Sequence, residues 1–328
     1  MHWLHLVWYC LLLLGWVLNY FYNMDLNYFK KTRILDAGMG QELLARGLIT
    51  KGTLWSATSL IDEKFNSLVV DTHLSAIEAG AEVILTNTFT SRRVRMKENQ
   101  VGDLFQFANQ KACELAIKAK ELSKRNILIA GSLPAQNETY DVDKRDKKIV
   151  EKDFFDQANI INSYIDFFYL DVLSSGREVE IALNVIHKLN KPVLVGLHLK
   201  KNGMLPSGET ITEIVKKNKN TNWLGVVAAC VSLEIIEKTA DELKSLNIPF
   251  GFKANLWGVE EPLPVHRFNN AGHNEVGKNP NITLGKREEV TGKVFCEFAK
   301  KIIRKGATIL GGCCETDSSH IKELSKLK

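Results

Sequence analysis

A single (β/α)8 barrel of the TIM type, an α/β fold, is what this sequence predicts, on three observations. Short β-branched or apolar runs alternate with longer stretches of helical periodicity, the pattern of βα units feeding a parallel sheet. Eight such units fit into about 300 residues, which suits one closed barrel better than a doubly wound pair of domains. No fixed-period repeat, low-complexity tract or Pro/Gly/Ser linker divides the chain. We therefore read residues 24–328 as one barrel domain behind an apolar segment, residues 1–23.

Taken in order, the strands are expected at Arg33–Asp36, Glu82–Asn87, Ile127–Ser132, Asp166–Asp171, Pro192–His198, Trp223–Cys230, Pro249–Asn255 and Thr308–Gly312, each a short apolar run. Between them helical periodicity marks Asp62–Ala79, Lys97–Lys124, Glu151–Ser163, Arg177–Leu189, Leu233–Leu246 and Arg287–Arg304, with a last helix after Asp317. The longest irregular stretch, Leu256–Gly285, is rich in Asn, Gly and Pro and carries His266 and His273. A loop of that length in a compact barrel is functional or partly disordered.

Trp3 to Tyr22 is an almost uninterrupted apolar and aromatic run of membrane-spanning length, followed by Lys30, Lys31 and Arg33. It lacks a basic leader and a small-residue cleavage site. The expectation is that translation starts at Met24; the alternatives are a membrane anchor through residues 3–22 and, behind it, a cleaved signal.

Composition narrows the partners. The 43 Lys+Arg against 38 Asp+Glu leave a net charge of +5, scattered apart from Lys216, Lys217 and Lys219, so no nucleic-acid stripe is present. Six cysteines at uneven spacing are too few for a disulfide scaffold and fit a reducing, cytoplasmic setting. Cys113 and Cys296 lie in amphipathic helical stretches and read as buried structural thiols. Small-molecule substrates are the expected partners, and an oligomer is open.

In such a barrel the active site lies at the C-terminal strand ends. The chemically unusual residues fall there: Asp36, Asn87, Asp171, His198, Cys230 and Asn255 end strands, and Cys313 and Cys314 follow the eighth. A lone Asp or Asn at such a place is more often a helix cap; their gathering on one rim is harder to dismiss. In Gly311-Gly312-Cys313-Cys314 the glycines permit a tight bend that brings two thiols toward one centre. With Cys230 they make three thiolates, which leave one position of a tetrahedral zinc open, as in catalytic sites. Because 83 positions separate Cys230 from Cys313, spacing alone is weak, and a redox pair is the competing reading.

Ile34-Leu35-Asp36-Ala37-Gly38-Met39-Gly40-Gln41-Glu42-Leu43, Leu54-Trp55-Ser56-Ala57, Ala79-Gly80-Ala81 with Thr86-Asn87-Thr88-Phe89, and Gly311-Gly312-Cys313-Cys314 with Thr316 and His320-Ile321 resemble the motifs of the homocysteine S-methyltransferase family, over nearly everything from Ile34 to Ile321. The resemblance implies a zinc-dependent barrel with Cys230, Cys313 and Cys314 as metal ligands. It implies Asp36 and Asp171 on the substrate ammonium, and Gly38, Asn87 and Asn255 as further substrate-binding positions. It also implies the chemistry: zinc holds the homocysteine thiol deprotonated, and its sulfur takes a methyl group from a cationic donor, giving methionine.

The sequence departs from the family at Ala37 and Gln41, at Val227 and Ala229 ahead of Cys230, at the shorter Asp171, and through Gly131-Ser132-Leu133-Pro134-Ala135-Gln136. The donor expected is a sulfonium, S-methylmethionine or S-adenosylmethionine, to which Leu54-Trp55-Ser56-Ala57 points. Betaine is the alternative, with Trp55 as one ring of a cage but Thr90 where that branch has tyrosine. Another small thiol acceptor, and a zinc- and amino-acid-binding barrel without turnover, are the remaining readings.

Overall fold

The computed structural model describes residues 24–218 and 223–328. The apolar run of residues 1–23 and Lys219 lie outside the described residues.

Eight parallel strands form the expected barrel: β1 Arg33–Ile34, β2 Val83–Leu85, β3 Leu128–Pro134, β4 Phe167–Leu173, β5 Val193–Leu197, β6 Trp223–Val231, β7 Phe250–Ala254 and β8 Ile309–Gly312. They run in the order β1-β8-β7-β6-β5-β4-β3-β2. The ring closes through a single parallel bridge between Leu35 and Val83, backed by the Glu82 N–H donating to Ile34 O at 2.8 Å. Every strand is packed on both faces, which is why the strands read as continuous apolar runs rather than alternating ones. One core, containing Phe168, Leu170, Val195, Val226 and Phe252, lies between strands and helices. A second, containing Leu35, Val83, Phe167, Tyr169, Leu194, Leu224 and Ile309, fills the barrel. Its floor is Phe29, fully buried, edge-on to Phe167 at 5.8 Å, with its carbonyl accepting from Thr308 Oγ1 at 2.5 Å.

The helices are α1 Met39–Ala45, α2 Thr58–Ile61, α3 Asn66–Ala79, α4 Arg93–Glu98, α5 Phe105–Ser123, α6 Lys147–Ile161, α7 Gly176–Lys188, α8 Ile211–Lys217, α9 Leu233–Ser245, α10 Asn281–Leu284, α11 Gly292–Arg304 and α12 Ser318–Leu324. The stretch expected as one helix, Lys97–Lys124, is two: Gln100 takes φ +57° and Gly102 opens a 3-10 turn, so α4 ends before α5 begins. Helices α1, α2, α8 and α10, seven residues or fewer, were not expected, because so short a helix shows little periodicity.

Two strands bulge at their C-terminal ends. The pairing of β4 with β5 shifts between Leu170 and Leu173, with Val172 at φ +63°. The pairing of β6 with β7 shifts between Ala229 and Val231, with Cys230 at φ +52°. Bulges re-aim side chains at barrel rims, and these two act on Asp171 and Cys230.

Candidate metal and substrate site

The three thiols expected to meet do meet. The Sγ atoms of Cys230, Cys313 and Cys314 all lie within 4.8 Å of one another, and Cys230 Sγ is 3.7 Å from Cys314 Sγ. A tetrahedral metal with ~2.3 Å metal–sulfur bonds puts its sulfurs ~3.8 Å apart, so the triad fits zinc with small adjustments. Three separate clamps set the geometry. Asn255 Nδ2 donates to Cys230 O at 2.7 Å, the Cys313 N–H donates to Ala254 O at 2.7 Å, and the Leu256 N–H donates to Cys314 O at 3.0 Å. The glycines of the closing motif serve space and not a left-handed bend, since neither has positive φ; a Cβ at Gly311 would lie 2.9 Å from Leu35 Cβ.

Burial opposes ionisation of Cys230, but hydrogen bonds from Cys313, Cys314 and Tyr140 outweigh it and hold that thiol well below its ordinary pKa. Hydrogen bonding to Cys230 correspondingly pushes Cys313 and Cys314 up. Tyr140 Oη sits 3.0 Å from Cys230 Sγ, and its ring lies 4.6 Å from that of His198, which burial holds down to about 4 and so neutral. A neutral imidazole behind the thiols leaves their charge for a metal to neutralise.

The triad opens into a cavity of about 900 Å3 including its mouth, bounded also by Asp36, Gly38, Asn87 and Asp171. Aromatic side chains Trp55, Phe89, Tyr140, Trp257 and Phe268 form much of the wall. The long loop expected at Leu256–Gly285 supplies Trp257, Val265, Phe268, Asn269 and Pro280, and is therefore part of the site.

The expected substrate residues divide. Asp36 is buried and already paired: Lys253 Nζ lies 2.7 Å from Oδ1, and the Leu85 N–H donates to Oδ2 at 2.7 Å. Asp171 accepts from Ser132 Oγ at 2.7 Å, and burial pushes its carboxyl up to about 7 against that bond and the nearby Lys253 charge. Asn87 lines the cavity while its Nδ2 donates to Ser59 Oγ at 3.2 Å and Ser56 O at 3.3 Å. Gly38 makes room for the thiol loop, since a Cβ there would lie 2.7 Å from the Cys313 carbonyl carbon and closer still to its oxygen. Asn255 does not line the cavity. Besides holding Cys230 O, it accepts from the Trp257 N–H at 3.2 Å, so its amide braces the end of β6.

Sequence reasoning missed Tyr140 and Lys253. A lysine inside the apolar run Phe250-Gly251-Phe252-Lys253-Ala254 was a readable signal, because lysine is almost never fully buried without a partner. Cys113 and Cys296 are buried on α5 and α11, as expected, and burial pushes the Cys113 thiol up to about 12. Among the described residues no helix is long and apolar enough to cross a membrane.

Known proteins resemble this chain in sequence and fold. Homocysteine S-methyltransferase 2 of Saccharomyces cerevisiae is 25% identical, over 90% of this chain and 94% of its own length. The S-methylmethionine–homocysteine S-methyltransferase of Rattus norvegicus is 21% identical, over 89% of this chain and 77% of its own length. The metallated homocysteine methyltransferase MmuM from Escherichia coli shares the fold, with a TM-score of 0.73 at 18% identity over 91% of this chain and 96% of that one. The family model for homocysteine S-methyltransferases matches residues 33–327, from the first strand through the last helix and across all three clustered thiols. The chain belongs to the homocysteine S-methyltransferase family.

Proposed function

We propose that this protein transfers a methyl group from a sulfonium donor to the sulfur of homocysteine, giving methionine, with zinc held by Cys230, Cys313 and Cys314. The observation that carries the reading is the triad itself: three sulfurs within 4.8 Å of one another, two of them 3.7 Å apart, facing the cavity at the barrel mouth. Zinc bound there supplies one thing, a thiol kept deprotonated at neutral pH. In the transfer the acceptor sulfur forms the new carbon–sulfur bond, the donor's carbon–sulfur bond breaks with its electrons going to the departing thioether, and the acceptor's proton goes to solvent.

The chain's own residues exclude water and place the two partners. Trp55, edge-on to Phe89 at 6.5 Å, with Tyr140 and Trp257, gives a cationic methyl donor aromatic faces. S-Methylmethionine is favoured as that donor, the one named for the rat relative. Six cysteines at uneven spacing, too few for a disulfide scaffold, support a reducing, cytoplasmic setting. Zinc-loaded protein should form methionine from homocysteine with S-methylmethionine or S-adenosylmethionine, measured by mass spectrometry. Methionine from betaine alone would overturn the donor assignment, and none with any of the three donors would overturn the enzyme.

A further inference from the structure

We infer that Arg92 holds the carboxylate of the methyl donor, on the aromatic side of the cavity. The inference rests on the reading of a sulfonium donor proposed above, and it names how the rest of that molecule is held.

Three arginines crowd the segment Arg92-Arg93-Val94-Arg95, and two of them have carboxylate partners. Arg93 pairs with Asp156 at 2.6 Å, and Arg95 with Glu98 at 3.0 Å. Arg92 has no carboxylate within ion-pair distance among the described residues, although it is only 1% exposed and lines the cavity. Its Nη1 donates to Ala135 O at 2.6 Å and its Nη2 to Thr139 Oγ1 at 3.2 Å, both uncharged, and its Nε has no partner. Those two bonds fix the plane of the guanidinium without neutralising it. Buried charges are paired as a rule, because an isolated ion gives up its hydration for nothing in return.

The charges that reach Arg92 from further off work against one another. Glu138 and Glu98 favour the cation, while Arg95 and Arg145 oppose it. Glu138 is itself taken up by His266 at 3.0 Å and by the Thr139 N–H at 2.9 Å. Burial outweighs them all and pulls the guanidinium down to about 9, which leaves it a cation at neutral pH. A carboxylate arriving there supplies the missing counter-charge and accepts charge-assisted hydrogen bonds from the planar fork.

Position assigns this cation to the donor. The guanidinium carbon lies 5.7 Å from the centre of the Phe89 ring, and Phe89 stands edge-on to Trp55 at 6.5 Å. The aromatic surface offered to a sulfonium therefore continues into Arg92. The thiols are bordered by other charges: Asp36, whose main-chain oxygen accepts from the Gly312 N–H at 3.0 Å, Lys253 bonded to Asp36, and Asp171, which acts on Cys313. None of these is among the charges that act most on Arg92. A donor whose sulfonium lies against Trp55 and Phe89 carries its carboxylate one methionine side chain away, and Arg92 is the unpaired cation on that side.

The test sets S-methylmethionine beside two truncated donors, (3-aminopropyl)dimethylsulfonium, which lacks the carboxylate, and (3-carboxypropyl)dimethylsulfonium, which lacks the amino group. Binding to the full chain is measured by calorimetry, and methyl transfer to homocysteine by the zinc-loaded protein in parallel. Losing the carboxylate should weaken binding roughly 10- to 150-fold, the range for one charge-assisted hydrogen bond, and should cost more than losing the amino group. Because Arg92→Met leaves Ala135 O and Thr139 without a donor, Arg92→Gln, which removes the charge and keeps N–H groups, is tested beside it. Either variant should bind the donors with and without a carboxylate alike. A wild type with no carboxylate preference, or a preference that survives the substitutions, overturns the inference. The acceptor is compared in the same way, homocysteine against 3-aminopropane-1-thiol; a carboxylate preference that Arg92→Gln removes from the acceptor and not from the donor overturns the assignment to the donor. If the donors bind with the expected preference but no methionine forms, the proposed activity fails and the subsite stands; if methionine forms with no such preference, the subsite fails and the activity stands.

Discussion

Replacing Gly38 with alanine asks whether the metal site depends on how closely the first βα turn approaches the last. The added Cβ would sit 2.7 Å from the Cys313 carbonyl carbon and 3.2 Å from Cys314 Cα, where ordinary contact begins at 3.4 Å. Both neighbours are backbone, so no side chain can swing away, and the Cys313–Cys314 segment must retreat by at least about 0.7 Å, more to clear the Cys313 carbonyl oxygen. Metal–ligand bonds tolerate only about 0.2 Å. The clash is already present without metal, against a segment held by the Cys313 N–H to Ala254 O and Leu256 N–H to Cys314 O bonds, so part of the strain lowers folding stability and the rest is met when a metal draws the sulfurs together. Overpacking of this kind costs about 1–3 kcal/mol, which predicts a loss of zinc affinity of roughly 5- to 150-fold. Competition with a chromophoric chelator measures it, and thermal melting of the chelated protein separates it from general destabilisation. A Gly38→Ala protein that binds zinc as tightly as wild type would refute the argument.

Other expectations follow from the same geometry. Serine at Cys230 or Cys314 removes a ligand and should abolish stoichiometric zinc and methyl transfer together; metal analysis showing unchanged zinc in either variant counts against the site. The Asp171 carboxyl is raised to about 7 from an unfolded value of 3.8, so the native state holds a proton that the unfolded chain has released. Wild-type stability relative to Asp171→Asn should therefore fall as pH rises from about 4 to 7 and level off above, as read by urea titration across that range; a flat difference would refute the shift. Residues 24–328 expressed alone should fold and bind zinc, since Met24, Tyr28 and Phe29 already pack against the barrel interior; an aggregated or metal-free product would refute it.

Much of the barrel was legible because parallel strands buried on both faces leave continuous apolar runs, and all eight lie within a few residues of their expected bounds. The thiol cluster was legible as chemistry, although only barrel closure brings Cys230 to Cys313 and Cys314. Helix α8 carried a signal that passed unread: Thr210 and Glu213 form a capping box, a local signature independent of periodicity. The Lys253–Asp36 pair was not legible, because it joins residues 217 positions apart and depends on the inward register of β7. The bulges at Val172 and Cys230 also left no mark, since neither residue type favours a left-handed backbone. Asn255 stands at the rim as expected, and its side chain bonds Cys230 O and the Trp257 N–H, contacts that no local pattern announces.

The Phe29 floor fixes the end of the barrel at which the described chain begins. Phe29 packs on Phe167, the first residue of β4, and on Thr308, just ahead of β8, at the end of the barrel away from the thiols. Whatever is joined ahead of residue 24, whether a purification tag, a bead linker or a lipid-seated segment, meets the protein at its base. A tether at that end is attached away from the cavity mouth, so it leaves the path of substrate and product at the opposite end of the barrel clear.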